Sequence, residues 1–386
     1  MVSFSSLEFL FRFLPVFFIL YFITPSRHRE ITLLIGSIIF YAVGEPEFIL
    51  VLVLATLINH LFAAQSWKVS EGFALHEWQN RRRKRYMIKA VALDVLVLCT
   101  FKMLGIFVSN ALLPLGLSFY LFKMISFQVD LYRREVWCRP QLKYTALYFM
   151  MFPQVVSGPI MRYREGEFEL TRNYSLEQLE DGLKYFILGL GMKVLLADRL
   201  AILWNDLQMI GFQSISTPLA WLGAAGFSLQ LYFDFWGYSL MASGLLVMLG
   251  YHFIENFNHP YASKSISEFY RRWHMTLGNW FRDYVYIPLG GSRCSGMRLV
   301  FNLAVVWLLT GIWHGNGVNY VIWGAVLGLF IILEKLVYGK LLNKAPVLGH
   351  VYVLFLIPLT WVVFAVNDLS YLGVYFGRLF PFLGGP

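Results

Sequence analysis

Long apolar runs recur along the whole chain, separated by short polar, charged or Gly/Pro-rich breaks. The first, residues 7–23, carries only Glu8 and Arg12 as charges and stops at Pro25 and Arg27-His28-Arg29. Runs over 31–43 and 48–64 follow, divided by the acidic turn Gly44-Glu45-Pro46-Glu47. Further runs cover 87–108, 183–197, 219–251, 299–313, 318–336 and 347–366. Apolar stretches of about 17 to 25 residues have the length of a membrane-crossing helix. Two other runs are less regular. Residues 112–131 contain Lys123 and Asp130, and residues 144–160 are broken by Pro153, Gly158 and Pro159. Non-helical backbone at membrane depth is tolerated only where protein or a water-filled cavity surrounds it, so these two are expected to be buried or re-entrant. The polar stretch from Arg162 to Asp181 ends in Ser175-Leu176-Glu177-Gln178, a capping-box pattern that predicts a helix start.

Composition turns these runs into a class. Apolar residues make up 58% of the 386, charged residues 14%, and the mean hydropathy is +0.58. A soluble domain carries about a quarter charged residues, so a bilayer must cover this surface. At roughly 30 to 40 residues per pass, an all-α polytopic membrane protein of about nine to eleven transmembrane helices is expected, with re-entrant and amphipathic helices besides. No break suggests a boundary, so residues 1–386 read as one membrane-embedded domain. The net charge of +9 fits basic cytoplasmic loops better than a nucleic-acid surface, because no basic patch lies away from membrane-flanking positions. Arg27 and Arg29 lie one span in, and Arg81-Arg82-Arg83-Lys84-Arg85 lies three spans in. Both belong on one side and the acidic turn on the other, which predicts a solvated basic cytoplasmic loop at 81–85 and an extracytoplasmic N-terminus. The first run has no basic leader or A-x-A site and reads as a retained span. Cys99, Cys138 and Cys294 show neither a disulfide framework nor metal spacing, and Cys99 is expected to be a packing residue.

The candidate chemistry lies between Asn256 and Gly315. Ile266, Phe269, Trp273, Leu277, Trp280 and Tyr284 recur at helical spacing, with Lys264, Glu268, Arg271, Met275 and Arg282 opposite. This predicts one amphipathic helix, too charged to cross lipid alone, with His274 on its shoulder. Pro288 and Gly290-Gly291 then predict a turn. The next apolar run ends in Gly311-Ile312-Trp313-His314-Gly315. An ionisable group in a membrane segment is by default a functional candidate, and histidine titrates near neutrality. The competing reading makes both histidines interface residues bonded to water or a carbonyl.

Tyr270-Arg271-Arg272-Trp273-His274, Trp280-Phe281-Arg282-Asp283-Tyr284-Val285-Tyr286-Ile287-Pro288-Leu289-Gly290-Gly291 and Trp313-His314-Gly315 together resemble the membrane-bound O-acyltransferase family. Phe152-Pro153-Gln154-Val155-Val156-Ser157-Gly158-Pro159-Ile160, Gln230-Leu231-Tyr232-Phe233-Asp234-Phe235-Trp236-Gly237-Tyr238-Ser239 and Glu255-Asn256-Phe257-Asn258 resemble its bacterial polysaccharide-acetylating branch, which includes the membrane subunit of alginate O-acetylation. The resemblance implies a ring of helices around a central tunnel and a catalytic core of about residues 112–338. His314 matches the family's near-invariant histidine. His274 matches its second polar position, which is asparagine in many eukaryotic relatives. Trp236 stands where a small residue is usual, which would narrow a pocket, and members of this branch commonly extend beyond the present C-terminus.

The implied activity moves an acyl group, acetyl in this branch, from a cytosolic thioester to an extracytoplasmic acceptor in cell-surface polysaccharide O-acylation. His314 is then the candidate base and His274 its companion. Arg271, Arg272, Arg282 and Trp313 are candidates for binding the donor, which is acetyl-CoA or an acyl-carrier thioester used as co-substrate, with no tightly bound cofactor. Asp283 is expected to orient a neighbour or to pair with an arginine. The implied setting is the bacterial inner membrane, among lipids and with an extracytoplasmic acetyltransferase partner. Polar residues in broken helices also mark transport sites. A substrate transporter or flippase, or a scaffold for a secreted acetylating enzyme, is therefore the alternative.

Overall fold

The computed structural model describes residues 3–70, 76–166 and 175–382. The centre of the polar stretch before Ser175 and the Gly384-Gly385-Pro386 tail lie outside the described residues. Among the described residues every regular element is helical. By chain contacts they form two compact units: Met1–Ile187 with Ser239–Ile254, and Leu188–Tyr238 with Glu255–Pro386.

The first unit holds α1 (Leu14–Ile23), α2 (Arg29–Gly44), α3 (Ile49–Val69), α4 (Glu77–Phe107), α5 (Leu117–Arg133), α6 (Leu142–Met150) and the single turn α7 (Phe152–Val155). α8 (Leu176–Gly191) starts where Ser175 predicts, with Ser175 Oγ accepting from the Gln178 amide at 3.0 Å. Of three expectations in this unit, one holds and two do not. The run 112–131 and the broken run 144–160 are buried, as their irregularity requires. Lys123 is fully buried, its ammonium donating to Gln154 Oε1 at 2.9 Å over the face of Tyr148. The basic run 81–85, by contrast, is no loop. It forms the second turn onward of α4, which His76 and Gln79 cap reciprocally. Arg and Lys are good helix formers, and Arg83 is buried because its guanidinium donates to the carbonyls of Leu131 and Tyr132 at the end of α5. Cys99 is exposed on α4 rather than packed, because its side chain falls on the outward stripe of that helix; all three cysteines are free.

The second unit holds α9 (Asp198–Ile210), the larger part of α10 (Thr217–Met248), α11 (Ile266–Arg272), α12 (Met275–Phe281), α13 (Gly296–His314), α14 (Val318–Leu333), α15 (Gly339–Lys344), α16 (Pro346–Ala365) and α17 (Leu369–Leu379). Its core is aromatic: Trp273, Trp323 and Trp361 are buried together with Phe269, Leu327 and Ile357. α13 and α14 approach at glycine. A Cβ on Gly311 would lie 2.4 Å from the Tyr320 carbonyl oxygen, and one on Gly324 2.4 Å from that of Trp307. Small residues at a crossing let two membrane helices pack backbone to backbone. That crossing carries His314 at the end of α13 toward Trp323 of α14.

Six described stretches are long and apolar enough to cross a membrane: Ile49–Val69, Glu77–Phe107, Asn110–Arg133, Gly296–His314, Val318–Lys344 and Pro346–Ala365. Much of their surface is apolar and outward, as at Leu54, Leu96, Leu329 and Leu354. Outward apolar side chains over spans of this length need lipid, so this is a multi-pass membrane protein.

Candidate active site

The expected single amphipathic helix is two short ones. α11 stops at Arg272, and His274 takes the left-handed conformation (φ 45°, ψ 54°) before α12 begins. For a residue other than glycine this is strained backbone, and it persists only where its surroundings fix it. The segment 256–258 does so. Asn258 N donates to the Arg272 carbonyl and Met275 N to the Asn256 carbonyl, each at 2.9 Å. The Asn256 side-chain oxygen takes the Thr276 amide at 3.2 Å and the Thr276 hydroxyl at 3.0 Å, and it meets His274 Nδ1 at 3.1 Å. The apolar face survives the break, since Ile266, Phe269, Trp273, Leu277 and Trp280 are all buried.

His274 is therefore no interface residue. It is 3% exposed, edge-on to Phe235 at 4.6 Å between ring centroids, with Trp313 at 6.1 Å. His314 is half-buried and ringed by Trp313 at 4.7 Å, Trp323 at 5.0 Å and Phe364 at 5.3 Å. Both histidines line one cavity of about 450 Å³. Burial, with the neighbouring His314 imidazole, pushes His274 well below the ordinary histidine pKa, which keeps its ring neutral. Two imidazoles facing one cavity of this size can exchange protons with a bound hydroxyl.

The cationic residues divide. Arg271 and Arg282 line the cavity with the histidines. Arg272 does not; it is held by Glu268 at 2.7 Å, and neither of the pair is on the cavity wall. Trp313 is not on the wall either, but it packs against both histidines. Asp283 pairs with Arg282 through both carboxylate oxygens, at 2.7 and 3.2 Å. Trp236 stacks on Tyr232 at 5.0 Å and is absent from the wall, so it does not narrow this cavity.

Residues 37–358 match the family model described as MBOAT, membrane-bound O-acyltransferase family. The chain belongs to the membrane-bound O-acyltransferase family. Among curated MBOAT relatives it is 36% identical to the probable alginate O-acetylase of Pseudomonas fluorescens, over 98% of this chain and 76% of that protein. It is 29% identical to the peptidoglycan O-acetyltransferase of Helicobacter pylori, over 95% and 77%. It is also 31% identical to the teichoic acid D-alanyltransferase of Bacillus subtilis, over 56% and 57%. As an MBOAT chain it is an acyltransferase.

Three residues in or beside this cavity carry no role in the sequence patterns described above. Lys335 adds a third cation to the cavity wall. Glu334 is 5% exposed and ties the start of α11 to the end of α14, accepting from the amides of Ile266 (2.5 Å) and Ser267 (2.9 Å) and from the Ser267 hydroxyl. Asn256 holds the break at His274. A charged Glu-Lys pair inside the apolar run 318–336 is the signal that points to the first two. Asn256 has no local signal, because its partners are 18 and 20 residues away.

Proposed function

We propose that this protein takes an acyl group, acetyl by likeness to the alginate and peptidoglycan O-acetylating relatives, from a cytosolic thioester and delivers it toward an extracytoplasmic polysaccharide hydroxyl. The observation that carries the reading is the placement of His274 and His314 on one cavity whose wall also bears Arg271, Arg282 and Lys335. His314 takes the proton of the acceptor hydroxyl as its oxygen attacks the thioester carbonyl. The C–S bond breaks, and the thiolate leaves and is protonated. A general base of this kind contributes about a hundred- to ten-thousand-fold in rate. The cations hold donor phosphates at the cavity mouth, and a chamber of this size admits the acyl-pantetheine arm while excluding the nucleotide or carrier. The protein sits in the bacterial inner membrane with its N-terminus outside, its helices ring the tunnel, and it hands the acyl group on together with an extracytoplasmic acetyltransferase.

The test is purified protein with an acceptor polysaccharide and radiolabelled acetyl-CoA or, separately, an acetylated carrier protein. The expected result is release of free thiol by the wild type with one of these donors, and loss of release in His314→Ala. A protein that moves the donor intact without releasing thiol is a transporter, and the reading fails.

A further inference from the structure

The contacts around Asn256 decide something that the position of the histidines alone leaves open: which nitrogen of His274 carries its proton. The Thr276 backbone amide can only donate, and it points to the Asn256 side-chain atom at 3.2 Å, so that atom is the amide oxygen. The same oxygen lies 3.1 Å from His274 Nδ1. An amide oxygen can only accept, so Nδ1 must carry the hydrogen. A neutral imidazole has one N–H, which leaves Nε2 bare. Nε2 is buried and meets no hydrogen-bond partner among the described residues, while the residue lines the cavity. An unmet acceptor at that depth is costly unless a ligand uses it.

We infer that Asn256 is a positioning residue that locks His274 as its Nδ1–H tautomer, so that His274 Nε2 meets the substrate as a hydrogen-bond acceptor and not as a donor to the thioester carbonyl. The inference rests on the acyl-transfer reading for its role, though not for the tautomer itself. It gives the left-handed kink a purpose. The strained residue and the group that orients it are held by one side chain, since Asn256 also caps the first turn of α12 through Thr276. A base oriented by a third group recurs wherever an imidazole must present one defined nitrogen. The titratable or charged residues facing His274 on the cavity wall are Tyr270, Arg271, Arg282, Tyr286, His314 and Lys335. No carboxylate stands among them to draw the proton to Nε2.

The experiment is a ¹⁵N spectrum of the full-length protein, histidine-labelled, in nanodiscs without substrate. The His274 signals are assigned by their disappearance in His274→Gln. The expected spectrum has a protonated Nδ1 and a bare Nε2, and Asn256→Ala yields a mixture of tautomers. A wild-type ring protonated at Nε2 overturns the proposal whatever the protein's activity, and an inactive wild type leaves the tautomer to be judged by the spectrum alone. Turnover supplies the second arm. Asn256→Ala should lose on the order of 10- to 100-fold in kcat with the donor KM unchanged, the scale seen when the outer partner of a metal-bound histidine is removed. Asn256→Asp, whose carboxylate accepts the same hydrogen bond, should keep the tautomer and recover much of the rate. Its acidic limb should move to higher pH, because the carboxylate favours the imidazolium. An Asn256→Ala protein with the wild-type tautomer and wild-type kcat, reduced only in yield, would assign Asn256 a purely structural part and end the proposal.

Discussion

At the level of single residues, the site rests on groups whose surroundings set their chemistry. His274 is buried as a neutral ring, with its pKa depressed by burial and by His314. A histidine whose folded-state pKa is lowered is stabilising when neutral. Its contribution is complete above the unfolded value of about 6.5 and is lost as pH falls below it, because the unfolded chain then binds the proton first. The thermal midpoint of the detergent-solubilised wild type should therefore fall as the pH drops below about 6.5. His274→Gln should flatten that fall; an equally steep fall in the variant would place the titrating group elsewhere. Lys335 gives a second residue-level outcome. Its ammonium is exposed at the cavity wall, so Lys335→Ala should raise the donor KM severalfold at low salt and less at high salt, with kcat unchanged. A salt-independent change, or one in kcat alone, would show that Lys335 does not meet donor charge.

At the level of elements, the sequence is legible where apolar periodicity and burial agree. The runs at 31–43, 48–64, 299–313 and 347–366 each became a helix with nearly those bounds, because a long apolar segment in lipid must satisfy its own backbone. The buried face of Ile266, Phe269, Trp273, Leu277 and Trp280 was legible for the same reason. The break at His274 was not. An extended Trp273 and a left-handed His274 interrupt the helix without moving those side chains off the core, and the group that fixes His274, Asn256, comes from a separate segment. Arg81 to Arg85 misleads in the other direction. A run of charge looks like a solvated loop, yet Arg83 finds two carbonyls at the end of α5 and turns inward. The α13–α14 crossing carries the element-scale prediction. Gly324→Ala places a Cβ against the Trp307 carbonyl and should lower stability by about 1–3 kcal/mol, the usual cost of overpacking. Gly373→Ala, where an added Cβ meets nothing within 4 Å, is the control and should be neutral or slightly stabilising. Equal melting curves for the two would mean that the crossing is not held by close glycine packing.

At the scale of the whole molecule, the apolar composition that first placed the chain in a bilayer also explains why its chemistry was findable. Few charged residues are available, so a histidine closing an apolar span stands out, and His314 was visible for that reason. Glu334 and Lys335, a charged pair inside an apolar run, carry the same kind of signal, whereas Asn256 had none because its partners lie 18 and 20 residues away. The orientation of the chain yields to labelling. In a cysteine-free background, single cysteines at Ser3 and Gln79 should react with an impermeant maleimide from opposite sides, with Gln79 on the inside. Labelling of Gln79 from outside would reverse the direction proposed for acyl transfer.

The central claim is that this cavity breaks a thioester by means of His314. Proteoliposomes of uniformly oriented protein, with labelled acyl thioester supplied only to the cytosolic face, test it directly. Free thiol is measured on that face and acylated polysaccharide on the other, with wild type and His314→Gln matched for folded protein. The glutamine keeps a hydrogen-bonding group but takes up no proton near pH 7. The account predicts thiol release and acylated glycan for the wild type with the partner acetyltransferase present, and a loss of at least about a hundredfold for His314→Gln. Near wild-type thiol release by His314→Gln would contradict it.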